Sequence, residues 1–365
     1  AALLIGVTLV STIATGAASA KETMNGALAT RYSVDIVAMG DDISQQMVKD
    51  VADINGVSDT LYAPAVSVTL EKADGTQPTS ALLVGVKNID QVKQVMRANL
   101  GNASIDSDGV LMPTYNAQTG KELQFANGTA DFSTEWNQDG DATRSLTLQA
   151  NQADYRRVSA QYGAVGFVDE SHFTNGDLDA ATHVLLVKAD TDKSGVSVDG
   201  IYNDMQAALE KSTDATVTGP IAERIVWAKM IDSMMMLLVG LIAVAVLIAL
   251  VGVANTLSLS VIERTRESAT LRAIGMTRGQ LRRSLAVEAL LISLVSGIAG
   301  VLLGTLFGWL GAYVVFSLYG TVAFPFEWGI NGIVLAVAAV AALLASIAPA
   351  RRAVRVPPVE ALAEA

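Results

Sequence analysis

Apolar and polar positions along this chain are sorted into long blocks rather than evenly mixed. Residues 1–20, 233–262, 289–326 and 328–350 contain no Asp, Glu, Lys or Arg. Each run matches or exceeds the roughly 20 residues an α-helix needs to cross the hydrocarbon core of a bilayer. The pattern predicts an α-helical membrane domain of four transmembrane helices. The first covers 1–20, the second 220–262 including a stalk, the third 284–318 and the fourth 330–350, with a short external loop at 319–329. The chain opens inside an apolar run without an initiator Met, so the first helix reads as truncated. Ala18-Ser19-Ala20 also has the small-residue look of a signal-peptidase site, but no basic segment precedes the apolar run.

Residues 21–219 change period. Tyr32 to Ala38 and Thr60 to Glu71 read as strands around a helical pattern from Ile43 to Ile54. The far end repeats this arrangement, with strands at His183 to Lys188 and Ala215 to Thr218 around a helix from Val198 to Lys211. Two β-α-β units flanking an insertion predict an α+β domain with a ferredoxin-like core, and a mostly β lobe near Leu100 to Asn175.

Charge assigns sides. Up to Gly219 the chain carries 14 Lys and Arg against 28 Asp and Glu, and beyond it 11 against 8. Arg264, Arg266, Arg272, Arg278, Arg282 and Arg283 fill the link between the second and third runs, and Arg351, Arg352 and Arg355 follow the fourth. Lys and Arg accumulate on the cytoplasmic side, so the link at 263–283 and the tail at 351–365 are expected inside, with the acidic domain outside. The charge pattern implies a membrane-spanning chain with these ends on the cytoplasmic side. The only basic cluster lies between two apolar runs, which argues against nucleic-acid binding.

Catalytic and metal chemistry find little support. There is no cysteine, and His172 and His183 are the only histidines, too few for a His-rich zinc site. Asp190 to Gly195 has the spacing of a calcium loop, but its twelfth position is Ile201 where a bidentate Glu is needed. Thr119-Gly120-Lys121 lacks the upstream glycine of a P-loop. No catalytic residue, cofactor or metal is expected on this chain.

The link itself is patterned. Leu271 and Ile274 share a helical face, and Gly275 is placed to end that helix. Thr277-x-x-Gln280 then has capping-box spacing and starts the next one. In the third run Gly300, Gly304 and Gly308 recur at every fourth position, with Gly297 and Gly311 on neighbouring turns. This nearly side-chain-free strip suits close packing of another helix.

The segments Val261-Ile262-Glu263-Arg264-Thr265-Arg266-Glu267 and Leu271-Arg272-Ala273-Ile274-Gly275-Met276-Thr277-Arg278 closely resemble the coupling-helix signature of FtsX-like permeases. These are the membrane subunits of MacB- and LolC-type ABC transporters. The resemblance runs from Pro220 to Ala365 and includes Pro349-Ala350-Arg351-Arg352-Ala353 and Pro358-Val359-Glu360-Ala361-Leu362. It implies a permease whose coupling helix docks an ATPase dimer through Glu263, Arg264, Arg266, Glu267, Leu271, Arg272, Ile274, Gly275 and Arg278. ATP and Mg would then sit on that partner. It further implies a second permease copy, or the other half of a duplicated permease, beside the bilayer lipid. The rival reading is a membrane-anchored receptor or regulator controlling a cell-wall hydrolase or peptide response. The substrate is not readable.

Overall fold

The computed structural model describes residues 2–71, 73, 78–136, 142–191, 195–263, 274–318 and 320–355. Packing divides the chain into an α/β unit, Ala27–Trp227, and a helical unit made of Ala1–Gly26 and Ala228–Ala365.

Among the described residues the α/β unit holds nine strands in one mixed sheet, ordered β3-β7-β4-β6-β5-β2-β8-β1-β9. The strands are β1 Ile36–Gly40, β2 Val57–Glu71, β3 Thr79–Val86, β4 Gly109–Pro113, β5 Thr129–Trp136, β6 Ala142–Ala153, β7 Ala164–Asp169, β8 Thr182–Ala189 and β9 Thr216–Thr218. Helices α2 (Gln45–Ala52), α3 (Ile89–Val95), α4 (Ser171–Thr174) and α5 (Val198–Ala208) lie between them. The order β2-β8-β1-β9 is antiparallel throughout. α2 joins β1 to β2 and α5 joins β8 to β9, the connectivity of a split β-α-β sheet. Ser44 and Ser197 start these helices by accepting the N–H of Met47 and of Gly200, the usual office of a Ser N-cap.

β1 shows why a strand can read as uniformly apolar. Ile36 and Ala38 face a core shared with Met47, Val51, Ile201 and Met205 of α2 and α5. Val37 and Met39 face a second core with Val92 and Val95 of α3. Both sides are buried, so no polar alternation survives. The strand begins at Ile36 rather than Tyr32, because the preceding helix runs on to Arg31.

The expected β lobe is larger and more closed than its sequence suggested. β2 is 15 residues long; its first part pairs with β8, and its second part with β3 and β5. The additional β2–β3 pairing closes β2-β3-β7-β4-β6-β5 into a ring. The lobe is therefore a six-stranded barrel that begins within β2, not near Leu100. Val66, Val68, Leu70, Ala81, Leu83, Val110, Met112, Phe132, Leu148 and Val168 fill its interior. Gly166 makes room for them, since a Cβ there would lie 2.7 Å from Met112 Sδ. Outward-facing Leu82, Val84, Leu111, Val165 and Phe167 join the second core. Closure removes edges that a flat insertion would leave unpaired.

The helical unit contains most of α1 (Ala2–Arg31) and α6 (Pro220–Glu263), and all of α7 (Arg278–Phe316) and α8 (Trp328–Arg355). By length and composition, Leu3–Arg31 and Arg278–Phe316 can cross a membrane, and Trp328–Leu344 is a shorter apolar segment. α7 turns Leu291, Val295, Leu302, Leu306 and Val314 outward. An exposed apolar surface of this extent suits hydrocarbon rather than water. Its opposite face is buried, with Val301 packing on Val7 of α1 and Ala338 of α8.

Candidate functional site

Three places among the described residues carry the candidate features. The first is the hinge before α7. Glu263 is the last residue of α6, and Arg264, Arg266, Glu267, Leu271 and Arg272 lie outside the described residues. Ile274 is 78% exposed, a costly position for a large apolar side chain in water and a natural one for a docking contact. Gly275 has φ +113, a region that costs an L-residue roughly 1–2 kcal/mol. Thr277 then caps α7: its Oγ1 accepts the N–H of Gln280 at 3.2 Å, and its own N–H donates to Gln280 Oε1 at 2.9 Å. The capping box read from Thr277 and Gln280 is present, and Arg278 is the first residue of the helix. Thr277→Ala should weaken this start by about 1 kcal/mol, seen as faster amide exchange in the first turn of α7 with the helix centre unchanged.

The second place is the seam between α1 and α7. A Cβ added at Gly300 would lie 2.9 Å from Val7 Cβ; at Gly304, 2.4 Å from Ser11 Cβ; at Gly308, 2.8 Å from Thr15 Cβ. Gly297 faces Leu335 of α8, while Gly311 has nothing within 4 Å. Four glycines of the strip thus lie against helices of this same chain, three of them against α1, and Gly311 stays open. Ser11 Oγ donates to Asn331 Oδ1 of α8 at 2.6 Å, and Ser293 Oγ to the carbonyl of Ala338 at 3.0 Å. Sequence reasoning missed the polar stripe on α1: Ser11, Thr15, Ser19 and Thr23, one per turn, are all buried. The fourfold spacing was the available signal.

The third place is where α1 leaves and α6 enters the α/β unit. Gly219, at φ +105, turns β9 into α6, and a Cβ there would lie 3.0 Å from the Asp35 carbonyl oxygen. The first turns of α6 bury Ile221 and Ile225 in the core of α2 and α5. The Ile221 N–H donates to the Asp35 carbonyl at 3.3 Å. The Asp35 carboxylate takes Arg97 Nε at 2.5 Å and the Ala189 N–H at 2.8 Å, while Arg97 Nη2 donates to the Ala189 carbonyl at 2.7 Å. Beside it the Tyr32 hydroxyl donates to Glu223 of α6, and Arg157 stacks over the Tyr32 ring at 5.5 Å. Burial, reinforced by the Glu223 bond, pushes the Tyr32 phenol up to about 12. Residues 32–35 are thereby tied to residues 219–225. No local motif announces this hub, because its partners are 62 and 191 positions apart.

Among the described residues no cluster of His, Asp or Glu is arranged to hold a metal. What the described residues show is a capped helix start, a close-packed seam and two tied segments.

Residues 239–358 match the FtsX-like permease C-terminal family. Over 128 residues the chain is 33% identical to the macrolide export ATP-binding/permease protein MacB of Nitrobacter winogradskyi, covering 35% of this chain and 19% of that protein. Over 375 residues it is 22% identical to the pyoverdine export ATP-binding/permease protein PvdT of Pseudomonas syringae, covering 90% of this chain and 54% of that one. The chain therefore spans at most about half the length of these relatives. The periplasmic region of MacB from Actinobacillus actinomycetemcomitans aligns with 53% of this chain and 93% of its own, at 10% identity and a TM-score of 0.29, too low a score to argue from. The resemblance read from the hinge is borne out: residues 239–358 of this membrane protein are an FtsX-like permease domain.

Proposed function

We propose that the chain is the permease subunit of a MacB-type ABC transporter, working by mechanical transmission. The observation that carries this reading is α6. It is one continuous helix of 44 residues, about 66 Å at ~1.5 Å per residue, which is twice the ~30 Å hydrocarbon thickness. It is anchored at its start in the core of the α/β unit by Ile221 and Ile225, and it ends at the basic hinge.

In this reading four helices span a bacterial cytoplasmic membrane, with the hinge and the tail inside and the α/β domain outside. An ATPase dimer, carrying ATP and Mg, grips Glu263 to Arg278 with Leu271, Arg272, Ile274 and Gly275 at the centre. Closure of the dimer on ATP pushes the hinge, and α6 conveys the push to the external domain. Substrate is handled outside the bilayer, and export is the favoured direction. The curated relatives are named as ATP-binding and permease proteins in one; the 365 residues here contain no P-loop, so the ATPase is assigned to sequence outside them. A second permease copy, or the other half of a duplicated permease, completes the assembly.

Leu271→Asp and Arg272→Glu should each reduce permease-stimulated ATP hydrolysis by at least about tenfold, a coupling loss of roughly 1.4 kcal/mol, while the protein still reaches the membrane. Unchanged stimulation in both variants, or failure of any ATPase to co-purify, would sink the proposal.

A further inference from the structure

The α1–α7 seam repeats every fourth residue on both helices. Val7, Ser11 and Thr15 face Gly300, Gly304 and Gly308 in that order, so the helices run parallel and the next pair in register is Ser19 with Ala312. The stripe is also incompletely bonded. Ser11 Oγ has its partner in Asn331 Oδ1, and Thr23 Oγ1 accepts the N–H of Ala323. Between them Thr15 Oγ1 and Ser19 Oγ are buried without a hydrogen-bond partner, as are Thr305 Oγ1 and Asn331 Nδ2. Buried polar groups left unpaired call for a physical explanation, and more so where no water is at hand.

We propose that this seam is a one-turn ratchet: α1 slides one helical turn along α7 toward its own N-terminus, exchanging one packed register for another. The slide, about 5.4 Å, brings Ser11, Thr15 and Ser19 onto Gly300, Gly304 and Gly308. Every close approach that glycine permits now is still made by a small residue. The Thr15 hydroxyl takes over the bond to Asn331 Oδ1 that Ser11 gives up. Val7 moves on to Ser296, itself small, and the cost is the Thr23–Ala323 bond. Packed interfaces change by discrete steps of this kind rather than by continuous deformation. The Thr15 hydroxyl, unpaired in the present register, is the bonding group of the other one. α1 continues unbroken to Arg31, so the step is delivered to Tyr32 at the entry of the α/β unit. The ratchet extends the transport reading by naming a second moving helix.

The chain contains no cysteine, so engineered pairs report cleanly, in the full chain and in native membranes. Ser19→Cys with Ala312→Cys reads the present register, and Thr23→Cys with Ala312→Cys reads the shifted one. A disulfide needs Cβ atoms about 3.5–4.5 Å apart, so a one-turn step separates the two readings. The first pair should cross-link without nucleotide. The second should gain when a co-expressed ATPase is held closed by a non-hydrolysable ATP analogue. Adding Thr15→Ala should lower the second cross-link about fivefold, the effect of one lost hydrogen bond, and leave the first unchanged. If the second pair fails in every nucleotide state, or ignores Thr15→Ala, the ratchet is overturned; failure of the first pair overturns the register itself. A second cross-link that forms with no ATPase associated would leave the ratchet standing and remove the transport reading.

Discussion

Gly304→Val should dislodge α1 from α7 and leave the protein poorly folded in the membrane. A Cβ at this position would sit 2.4 Å from Ser11 Cβ and 2.6 Å from the Thr8 carbonyl oxygen, the latter a backbone atom of a continuous helix that cannot step aside. Overpacking a tight contact costs about 1–3 kcal/mol when neighbours can adjust; with backbone in the way and two further methyls to place, the upper end is expected. Gly311→Ala, with nothing within 4 Å, serves as the control. It should be neutral, or stabilise by roughly 0.5–1 kcal/mol through the better helix propensity of alanine. Thermal aggregation of the two variants in the same detergent compares them directly. If Gly304→Val melts with the parent protein, the α1–α7 seam described here is wrong.

The second large effect is expected at Asp35. Its carboxylate side chain is 10% exposed and accepts both Arg97 Nε and the Ala189 N–H, while its carbonyl receives the first turn of α6. Deleting one partner of a fully buried pair costs about 3–5 kcal/mol. The Arg97 side chain is 47% exposed and stays partly hydrated after the loss, so about 2–3 kcal/mol is the better figure for Asp35→Ala. Asp35→Asn keeps an acceptor for the Ala189 N–H and should recover part of that loss. Protease sensitivity between β1 and α3 should rise in the same order, parent below Asp35→Asn below Asp35→Ala. Equal sensitivity in all three would show that the hub does not hold the domain together.

The hinge and the hub mark the two extremes of what could be read from the residues. Gly275, Thr277 and Gln280 act within a few positions of one another, so their grammar is visible in any short window: a positive-φ glycine, then a cap, then its reciprocal partner. Asp35 bonds to residues 62 and 154 positions away, and no window contains the reason for it. The six-stranded barrel lies between these cases. Its strands alternate as strands do, but periodicity is the same for a flat sheet and a closed one. Closure depends on β2 being long enough to pair with β8 at one end and with β3 and β5 at the other.

The glycine strip divides in the same way. Fourfold spacing alone determined that a helix would pack closely on α7. Which helix it was depended on the chain's return through the α/β domain, and the structure seats α1 there. By itself the sequence determined the long apolar helices, the β-α-β units at both ends of the acidic domain, and the cap and hinge before α7. All of these follow from residues within one or two turns. Only the tertiary structure decided the barrel, the Asp35 hub and the partner of the glycine strip, because burial and register between distant segments belong to the packed whole and to no segment of it.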